Sequence, residues 1–333
     1  MLCAMTLPSA PADALQAVHI PRALRGVHRD APDGTVFDVA WRGTRIDTVA
    51  PCPPGTPATG LLLPALVDLH LHLDKTHTVR ETGAANGDLF RAIEMVARHR
   101  STWTAADLHR RMSIGLQEAW ASGVRAVRTH LDWMEARRPL SVDVLAGLRA
   151  QWRNRIEIQW VSLSALEQFD DAAWARAVVR DVKDAGGVLG CFVYRHADAQ
   201  RRLSRVFDLA VEADLDIDFH VDEGLDADAT GLHTVAELAL ARGWGDRVHC
   251  GHACSLSVQP AAQARDTLAL VAQAGITLTA LPSTNLYLQG SWRDTPLERG
   301  ITRLREARAA GVRTCLASDN VADAFFPYGV HDP

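Results

Sequence analysis

The sequence predicts an α/β fold, a (β/α)8 TIM barrel that follows a small N-terminal β segment. From residue 61 onward, eight short apolar runs alternate with seven long amphipathic segments, a rhythm typical of βαβ units around a parallel sheet. Several amphipathic segments end at a glycine, which commonly terminates a helix. Eight parallel strands favour a closed barrel, and the first strand-to-helix turn lacks the G-x-G-x-x-G pattern of many open nucleotide-binding sheets.

Residues 1–60 differ in composition from the rest of the chain. Short β-like pieces at 17–20, 35–41 and 45–49 lie among many prolines, and the segment ends in a run of proline, cysteine and glycine. Such a composition is typical of a few strands joined by turns. We therefore expect residues 1–60 to form a small β unit, half of a sandwich, and residues 61–333 to form the barrel.

The repeated rhythm assigns each barrel element in order. The predicted strands are 65–72, 124–130, 156–162, 188–194, 217–221, 248–252, 276–281 and 312–317. The predicted helices are 105–122, 142–152, 172–185, 203–213, 234–242, 261–274 and 301–310. No helical pattern follows the eighth strand, so we expect a barrel that is incomplete at its C-terminal end, before its last helix.

Composition and charge narrow the class of protein. Of the 333 residues, 47% are hydrophobic and 23% are charged, and the net charge is −5, which is typical of a globular protein and disfavours a dedicated nucleic-acid binder. No apolar run has the length of a membrane span, and the N-terminus lacks a signal-peptide pattern. Six scattered cysteines without zinc-binding spacing indicate reduced thiols and a cytoplasmic protein. They are Cys3, Cys52, Cys191, Cys250, Cys254 and Cys315.

The first predicted barrel strand carries a candidate metal site. The side chains of Asp68, His70 and His72 alternate with leucines, so they lie on one face of the strand. Two imidazoles that are two residues apart on a rigid strand can bind one divalent cation. The alternative is a pair of ordinary histidines at a strand end.

Three further strands end in residue types that bind metals. His220 ends strand 5, His252 ends strand 6 and Asp319 ends strand 8, and the C-terminal strand ends of such a barrel hold its active site. We therefore predict one divalent metal ion, Zn²⁺ or Fe²⁺, with one coordination position left for water. Its predicted ligands are His70, His72, His220 and Asp319. The bound cation lowers the pKa of that water and supplies hydroxide.

Two residues are candidates for proton transfer. Glu223 lies three residues beyond His220, where a carboxylate can take the proton of the water and pass it to a leaving amine; elsewhere it would be a solvated loop glutamate. His252 can polarise the oxygen that develops negative charge, or it can be a buried histidine with satisfied hydrogen bonds. His130 and Asp132 end strand 2, where lining the pocket and a structural role fit the sequence equally well.

Five motifs, in chain order, resemble those of a known family. They are 64–74 (PALVDLHLHLD), 220–223 (HVDE), 251–252 (GH), 285–290 (NLYLQG) and 318–329 (SDNVADAFFPYG). With these motifs the chain resembles the amidohydrolase superfamily, most closely its cytosine deaminase-like branch.

The resemblance carries expectations for the architecture and for the site. It implies a barrel with one catalytic metal, a small β-sandwich shared between the two chain ends, and a homo-oligomer. It also implies that Glu223 shuttles protons, that His252 polarises the attacked centre, and that Asp319 both binds the metal and accepts a proton from the water.

Three positions depart from the cytosine deaminase pattern. Ala165 stands where cytosine deaminases carry a glutamine that binds the pyrimidine edge, Asn320 where they carry a second aspartate, and Phe325 where they carry a tryptophan. Loss of a buried hydrogen-bond partner penalises the substrate that needs it, so cytosine itself is disfavoured. Together with Asn285, these are the predicted substrate-binding residues. The run at 73–75 (LDK) resembles instead the hydrolases that release an amine from N-alkylated triazines.

These observations predict a metal-dependent hydrolytic deaminase. It would remove an amino or alkylamino group from a small nitrogen heterocycle, such as a pyrimidine or triazine, by attack of metal-bound hydroxide. The alternatives are a hydrolase of cyclic or linear amides on the same single-metal site, and a catalytically impaired barrel. The expected partner is a small heterocyclic amine, with no nucleic acid and no membrane.

Overall fold

The computed structural model describes residues 13–289, 295 and 298–333. Cys3, predicted to be a reduced thiol, and Gly290, the last residue of one family motif, lie outside the described residues. The chain divides into two compact units, Met1–Ala65 and Leu66–Pro333. Within the described part, none of the helices combines the length and the apolar character that crossing a bilayer requires.

The first unit contains a four-stranded sheet. Its strands are β1 (Asp13–His19), β2 (Val36–Arg42), β3 (Arg45–Pro51) and β4 (Gly60–Leu61), in the order β3-β2-β1-β4. β2 pairs antiparallel with both β1 and β3, whereas β4 pairs parallel with β1. The small core consists of Val18, Ile20, Phe37 and Val39. Val18 and Ile20 are two positions apart in the chain, as are Phe37 and Val39, which is expected for extended segments that bury one face.

The second unit is a (β/α)8 barrel, as the sequence predicts. Its strands are β5 (Leu66–Leu71), β6 (Val124–Asp132), β7 (Glu157–Ala165), β8 (Val188–Val193), β9 (Ile217–Val221), β10 (Val248–His252), β11 (Thr277–Ala280) and β12 (Arg313–Leu316). Strands that are consecutive in the chain are neighbours in the sheet, and every pair is parallel. Parallel strands are covered on both faces and are therefore apolar almost throughout, which is why apolar runs located them.

Ten α-helices occur in the described residues. They are α1 (Val79–Thr82), α2 (Leu89–Arg100), α3 (Ala105–Ala121), α4 (Leu140–Trp152), α5 (Ala172–Asp184), α6 (Ala199–Ala213), α7 (Gly231–Arg242), α8 (Ala261–Ala274), α9 (Pro282–Leu288) and α10 (Leu304–Ala309). Seven correspond to predicted helices, and α1, α2 and α9 were not predicted. The start of α2 is fixed by Asp88, whose side chain accepts a hydrogen bond from the backbone N–H of Arg91 at 3.0 Å.

The barrel is joined between its first and last strands by contacts at its C-terminal end. The backbone N–H of Asp319 donates to the carbonyl oxygen of His70 at 2.8 Å, and Leu71 forms a parallel bridge with Asp319. The buried carboxylate of Asp68 accepts hydrogen bonds from the hydroxyl of Ser318 at 2.5 Å and from its backbone N–H at 3.3 Å. These contacts bring together residues that are about 250 positions apart in the chain.

Candidate metal centre and active site

Three imidazoles and one carboxylate converge at the C-terminal end of the barrel. His70 lies in β5, His72 follows it, His220 lies in β9 and Asp319 follows β12. The Nε2 atom of His220 is 3.1 Å from Nε2 of His70 and 3.3 Å from Nε2 of His72. The Oδ1 atom of Asp319 is 3.2 Å from Nε2 of His72 and 3.7 Å from Nε2 of His70. All four residues are buried.

The spacing of these four atoms fits a divalent metal ion. In a tetrahedral site with metal–ligand bonds of about 2.0–2.1 Å, neighbouring ligand atoms are about 3.3 Å apart, and the observed separations are 3.1–3.7 Å. Both carboxylate oxygens of Asp319 are buried without a hydrogen-bond partner in the described part of the chain. Buried polar atoms nearly always have a partner, so these oxygens and the convergent imidazoles are best explained as a divalent metal site.

Burial sets the charge of the cluster. It lowers the pKa of His70, His72 and His220 well below the usual value, and the neighbouring basic groups add to this effect. Neutral imidazoles offer a lone pair to a metal ion. Burial and the neighbouring Asp323 raise the pKa of Asp319 well above its usual value, because the protein provides this carboxylate with too little positive charge. A cation would supply that charge.

The backbone around the cluster is strained. The φ angle is +71° at His252 and +66° at Asp319, in a left-handed region that costs a residue other than glycine about 1–2 kcal/mol. Asp222 also has a positive φ, of +48°. Its carboxylate accepts hydrogen bonds of 3.0 and 2.9 Å from the first two backbone N–H groups of α7, which fixes the turn that carries Glu223.

Glu223 and His252 face each other beside the cluster. The Nδ1 atom of His252 is 3.5 Å from Oε1 of Glu223 and 4.0 Å from Oδ2 of Asp319. Burial and the neighbouring Asp319 raise the pKa of Glu223 well above its usual value, which favours a protonated carboxyl group there. Burial lowers the pKa of His252 to about 3, so its imidazole is neutral.

Asn285 contacts His252 through its side-chain amide, whose Nδ2 is 3.2 Å from Nδ1 of the imidazole. It is not one of the described residues that line the cavity beside the cluster. Its role as a substrate contact therefore stays a prediction, and its visible contact is with the histidine.

His130 packs against the cluster within a buried polar network. Its ring centroid is 4.1 Å from that of His70, and its ligand atom lies within 4.8 Å of those of the three converging imidazoles. Its Nε2 is 3.1 Å from Oδ1 of Asp218, whose Oδ2 is 2.7 Å from Nδ1 of His249. Burial alone would raise the pKa of Asp218, but the two histidines hold it well below the usual value. Sequence analysis assigned no role to Asp218 or His249, although polar residues inside apolar strands were a usable signal.

A cavity of about 160 Å³ opens beside the cluster. His72 and His220 of the cluster line it, together with the neighbouring Glu223 and His252. Three of the four predicted substrate contacts, Ala165, Asn320 and Phe325, also line this cavity. The amide of Asn320 donates to Oδ2 of Asp323 at 2.6 Å, so its orientation is fixed.

One wall of the cavity carries an ion-paired triad. Nζ of Lys75 is 2.6 Å from Oδ1 of Asp132, and Nη2 of Arg100 is 2.6 Å from Oδ2 of the same carboxylate. Burial alone would raise the pKa of Asp132, but the two cations hold it below the usual value. Lys75 also lies 3.2 Å from Nδ1 of His72. The triad therefore links the wall of the cavity to a predicted metal ligand.

Helix α2 supplies the apolar part of the same wall. Its residues Leu89, Ile93 and Val96 line the cavity, and Arg100 continues the stripe. These positions are four, three and four residues apart, so they lie on one face of the helix. Sequence analysis missed them because the pattern stands outside the strand-and-helix repeat. Asp88 before an apolar residue was the available signal.

The chain is similar to a known protein family and to several known proteins. A family model described as amidohydrolase family matches residues 101–333. The chain is 37% identical over 303 residues to a pterin deaminase of Rhizobium rhizogenes, covering 90% of this chain and 69% of that protein. It is 24% identical over 318 residues to the N-isopropylammelide isopropyl amidohydrolase of Pseudomonas sp., covering 90% of this chain and 74% of that protein. A solved 5-methylcytosine deaminase from Klebsiella pneumoniae, liganded with 5-fluorocytosine, matches at a TM-score of 0.79 and 24% identity over 90% of this chain and 75% of that one, which supports the fold.

Proposed function

The chain belongs to the amidohydrolase family, and we propose that it is a single-metal hydrolytic deaminase of amino-substituted nitrogen heterocycles of the pterin type. The observation that carries this proposal is the convergence of His70, His72, His220 and Asp319 beside Glu223. His72, His220 and Glu223 line one cavity next to this cluster. A buried carboxyl group with a raised pKa next to a metal site is suited to proton transfer. A site that only stores a metal has no need of such a proton-transferring carboxyl group.

The proposed mechanism divides the chemistry between the metal and the protein. A divalent cation, Zn²⁺ or Fe²⁺, supplies Lewis acidity and brings the pKa of water towards neutrality. His70, His72, His220 and Asp319 would hold it, the three imidazoles through Nε2. Imidazole and carboxylate ligands suit both zinc and iron.

Glu223 and His252 are the proposed groups for proton transfer and polarisation. In its carboxylate form Glu223 takes one proton from the attacking water and gives it to the leaving nitrogen. The bond between carbon and that nitrogen breaks, so the ring carbon gains oxygen and ammonia departs. The raised pKa of Glu223 suits this exchange at neutral pH. His252, which is neutral and 3.5 Å from Glu223, would orient the attacked centre. Asp319 would accept the other proton of the water through Oδ2, which lies on the side of His252. It would pass this proton to the ring nitrogen beside the attacked carbon, so that a neutral oxo product forms and the carboxylate is regenerated.

The lining of the cavity favours a flat, amino-substituted ring as the substrate. Phe325 and Phe192 offer aromatic surface. Ala165 leaves space at the position where cytosine deaminases carry a glutamine. The relative with 37% identity is a pterin deaminase by name, and pterin carries an amino group on a pyrimidine ring fused to a second ring. We therefore place an aminopteridine ahead of cytosine as the substrate class.

Release of an alkylamine is the second candidate. Lys75 lines the cavity within the LDK run that resembles N-alkyl triazine hydrolases, and the apolar face of α2 offers room for an alkyl group. The relative with 24% identity is an isopropyl amidohydrolase by name. The same metal ligands and the same proton transfer would serve both reactions.

The test is release of ammonia or isopropylamine from metal-reconstituted protein. Pterin, cytosine and N-isopropylammelide are supplied separately, with protein whose metal content is measured. We expect ammonia from pterin, little from cytosine, and loss of activity on chelation. The matched control is His70→Ala, which should lose both metal and activity. Absence of ammonia and alkylamine with one metal per chain would contradict deamination and direct attention to amide substrates.

A further inference from the structure

A cavity of about 390 Å³ lies at the start of helix α7. It is bounded by the segment that leads into α7, by the segment between β10 and α8, and by one face of α8. We call it the α7 cavity, defined by Asp222, Gln259 and Asp266. Asp222 lines this cavity, whereas its neighbour Glu223 lines the catalytic cavity, and none of the described residues lines both. The α7 cavity is therefore a separate space on the other side of the turn that carries Glu223.

Gln259 presents an unused acceptor in the wall of the α7 cavity. Its side chain is buried, with 5% of the residue exposed. Nε2 donates to the backbone carbonyl oxygen of Ala229, another lining residue, at 2.7 Å. Oε1 is buried and has no hydrogen-bond partner in the described part of the chain. Buried polar atoms nearly always have a partner, so this oxygen points to a ligand that donates a hydrogen bond.

The charge of the wall favours a cation. Asp222 and Asp266 are acidic, and the described lining residues include neither lysine nor arginine. Arg303 lies close by, but it does not line the cavity and donates to the backbone carbonyl oxygens of Leu256 at 2.6 Å and Gln259 at 2.9 Å.

An anion is disfavoured at the start of α7. The first backbone N–H groups of a helix usually attract anions. Here the N–H groups of Gly231 and Leu232 already donate to the carboxylate of Asp222, at 3.0 and 2.9 Å. The helix start therefore has its own anion, and its first two donors are occupied.

The remaining lining favours an organic cation over a metal ion. Ala229, Leu232 and Leu256 supply apolar surface, and Thr267, whose Oγ1 is 3.3 Å from Nδ1 of His233, supplies a hydroxyl oxygen. A metal ion needs several ligand atoms that converge on one point. In the described residues, the groups with that convergence lie in the metal cluster of the barrel. An ammonium group has three N–H donors for scattered acceptors, and its carbon body can cover the apolar surface.

We propose that the α7 cavity is a second ligand site, which binds a small organic ammonium ion. The ammonium group donates to Oε1 of Gln259, Asp266 supplies negative charge, and the carbon body packs against Leu232 and Leu256. The bound ion would lie behind the turn that carries Glu223. Because this inference concerns binding alone, it stands or falls independently of the proposed deaminase activity.

Calorimetric titration of the metal-loaded protein at pH 7 tests the inference. Cyclohexylammonium, cyclohexanol and cyclohexanecarboxylate share one ring and differ in the charge and the hydrogen-bond donors of the head group. We expect cyclohexylammonium to bind at least about tenfold more tightly than the other two, because a charge-assisted hydrogen bond is about twice as strong as a neutral one. No binding of cyclohexylammonium at millimolar concentration, or equal binding of all three compounds, overturns the inference.

Two variants locate the bound ion. Gln259→Met removes the unused acceptor at a similar side-chain length and should lower the association constant of cyclohexylammonium about tenfold. Asp266→Asn changes an exposed side chain and should lower it about threefold, as expected for a partly solvated charge. The matched control is Asp208→Asn, because Asp208 lies in α6, is 66% exposed and does not line the cavity; its association constant should equal that of the parent.

The outcome of these variants decides the site. Thermal melting shows whether Gln259→Met folds, and if it does not, Asp266→Asn decides alone. An association constant equal to that of the parent in every folded variant of the α7 cavity overturns the inference. Binding that is lost in Phe325→Ala and retained in Asp266→Asn also overturns it, since the compound would then occupy the catalytic cavity, which Phe325 lines.

Discussion

Gly251 of β10 offers a direct test of how the predicted metal ligands are positioned. A Cβ atom at this position would lie 2.8 Å from both Cε1 and Nδ1 of His70, whereas ordinary van der Waals contact begins at 3.4 Å. The ring of His70 would therefore have to move by about 0.6 Å. Gly251 is not one of the residues with a positive φ, so Gly251→Ala acts through this contact and not through backbone strain.

The displacement is large for a metal ligand. Functional groups are held to within about 0.5 Å of their productive positions, and Nε2 of His70 is only 3.1 Å from that of His220. Disturbed orientation of a ligand typically lowers metal affinity about 10–100-fold. We expect Gly251→Ala to raise the metal dissociation constant by that factor. Forcing the methyl group into a packed core also costs about 1–3 kcal/mol of stability.

Competition with a chelator, followed by metal analysis, measures the expected change. The matched control is Gly147→Ala in α4, where a Cβ meets open space; metal affinity should be unchanged, and helix stability should rise by about 0.5–1 kcal/mol. Thermal melting of both metal-free variants separates loss of affinity from loss of fold. A folded Gly251→Ala protein that keeps the parent metal affinity would refute the reasoning, because Gly251 would then not constrain His70.

Two further predictions concern Glu223 and the buried His331. Glu223→Gln should lower deaminase turnover by about 10²–10⁴-fold and retain the metal, measured by ammonia release and metal analysis; unchanged turnover would remove Glu223 as the proton shuttle. Burial lowers the pKa of His331 to about 3, against about 6.5 for an unfolded histidine. Below pH 6.5 the unfolded chain therefore binds a proton that the folded protein does not. The free energy of unfolding then falls as the pH drops towards 3, by up to about 1.4 kcal/mol per pH unit. His331→Gln should make the slope of unfolding free energy against pH shallower between pH 6 and 4, whereas the exposed His109→Gln control should not; equal slopes in all three proteins would contradict this assignment.

The barrel could be predicted because its signals are local. Each strand is an apolar run and most helices end at a glycine, so β5 to β12 and seven helices follow from short stretches of sequence. The convergence of His70, His72, His220 and Asp319 could be inferred because parallel barrel strands bring their C-terminal ends together. The family prediction is confirmed by the comparisons. The role of each residue stays a prediction.

The wall of the cavity beside the metal cluster could not be predicted in the same way. Arg100 and Asp132 are 32 positions apart, and no periodic pattern relates them. In the sequence Lys75 is only part of the run at 73–75, whereas the structure pairs it with Asp132. Such features arise from tertiary packing of loops and helix ends, which a single sequence does not encode as a local pattern.

Closure of the barrel and assembly of the metal centre depend on the same contacts. The backbone N–H of Asp319 binds the carbonyl oxygen of His70, so the last predicted ligand is fastened to the strand that carries the first. Asp68 holds Ser318 from the other side of this junction. The positive φ of Asp319 costs about 1–2 kcal/mol, which hydrogen bonds of about 0.5–1.5 kcal/mol each can offset. The strain is therefore tolerated where it turns a carboxylate towards three imidazoles, and a change that loosens this junction would disturb fold and ligand geometry together.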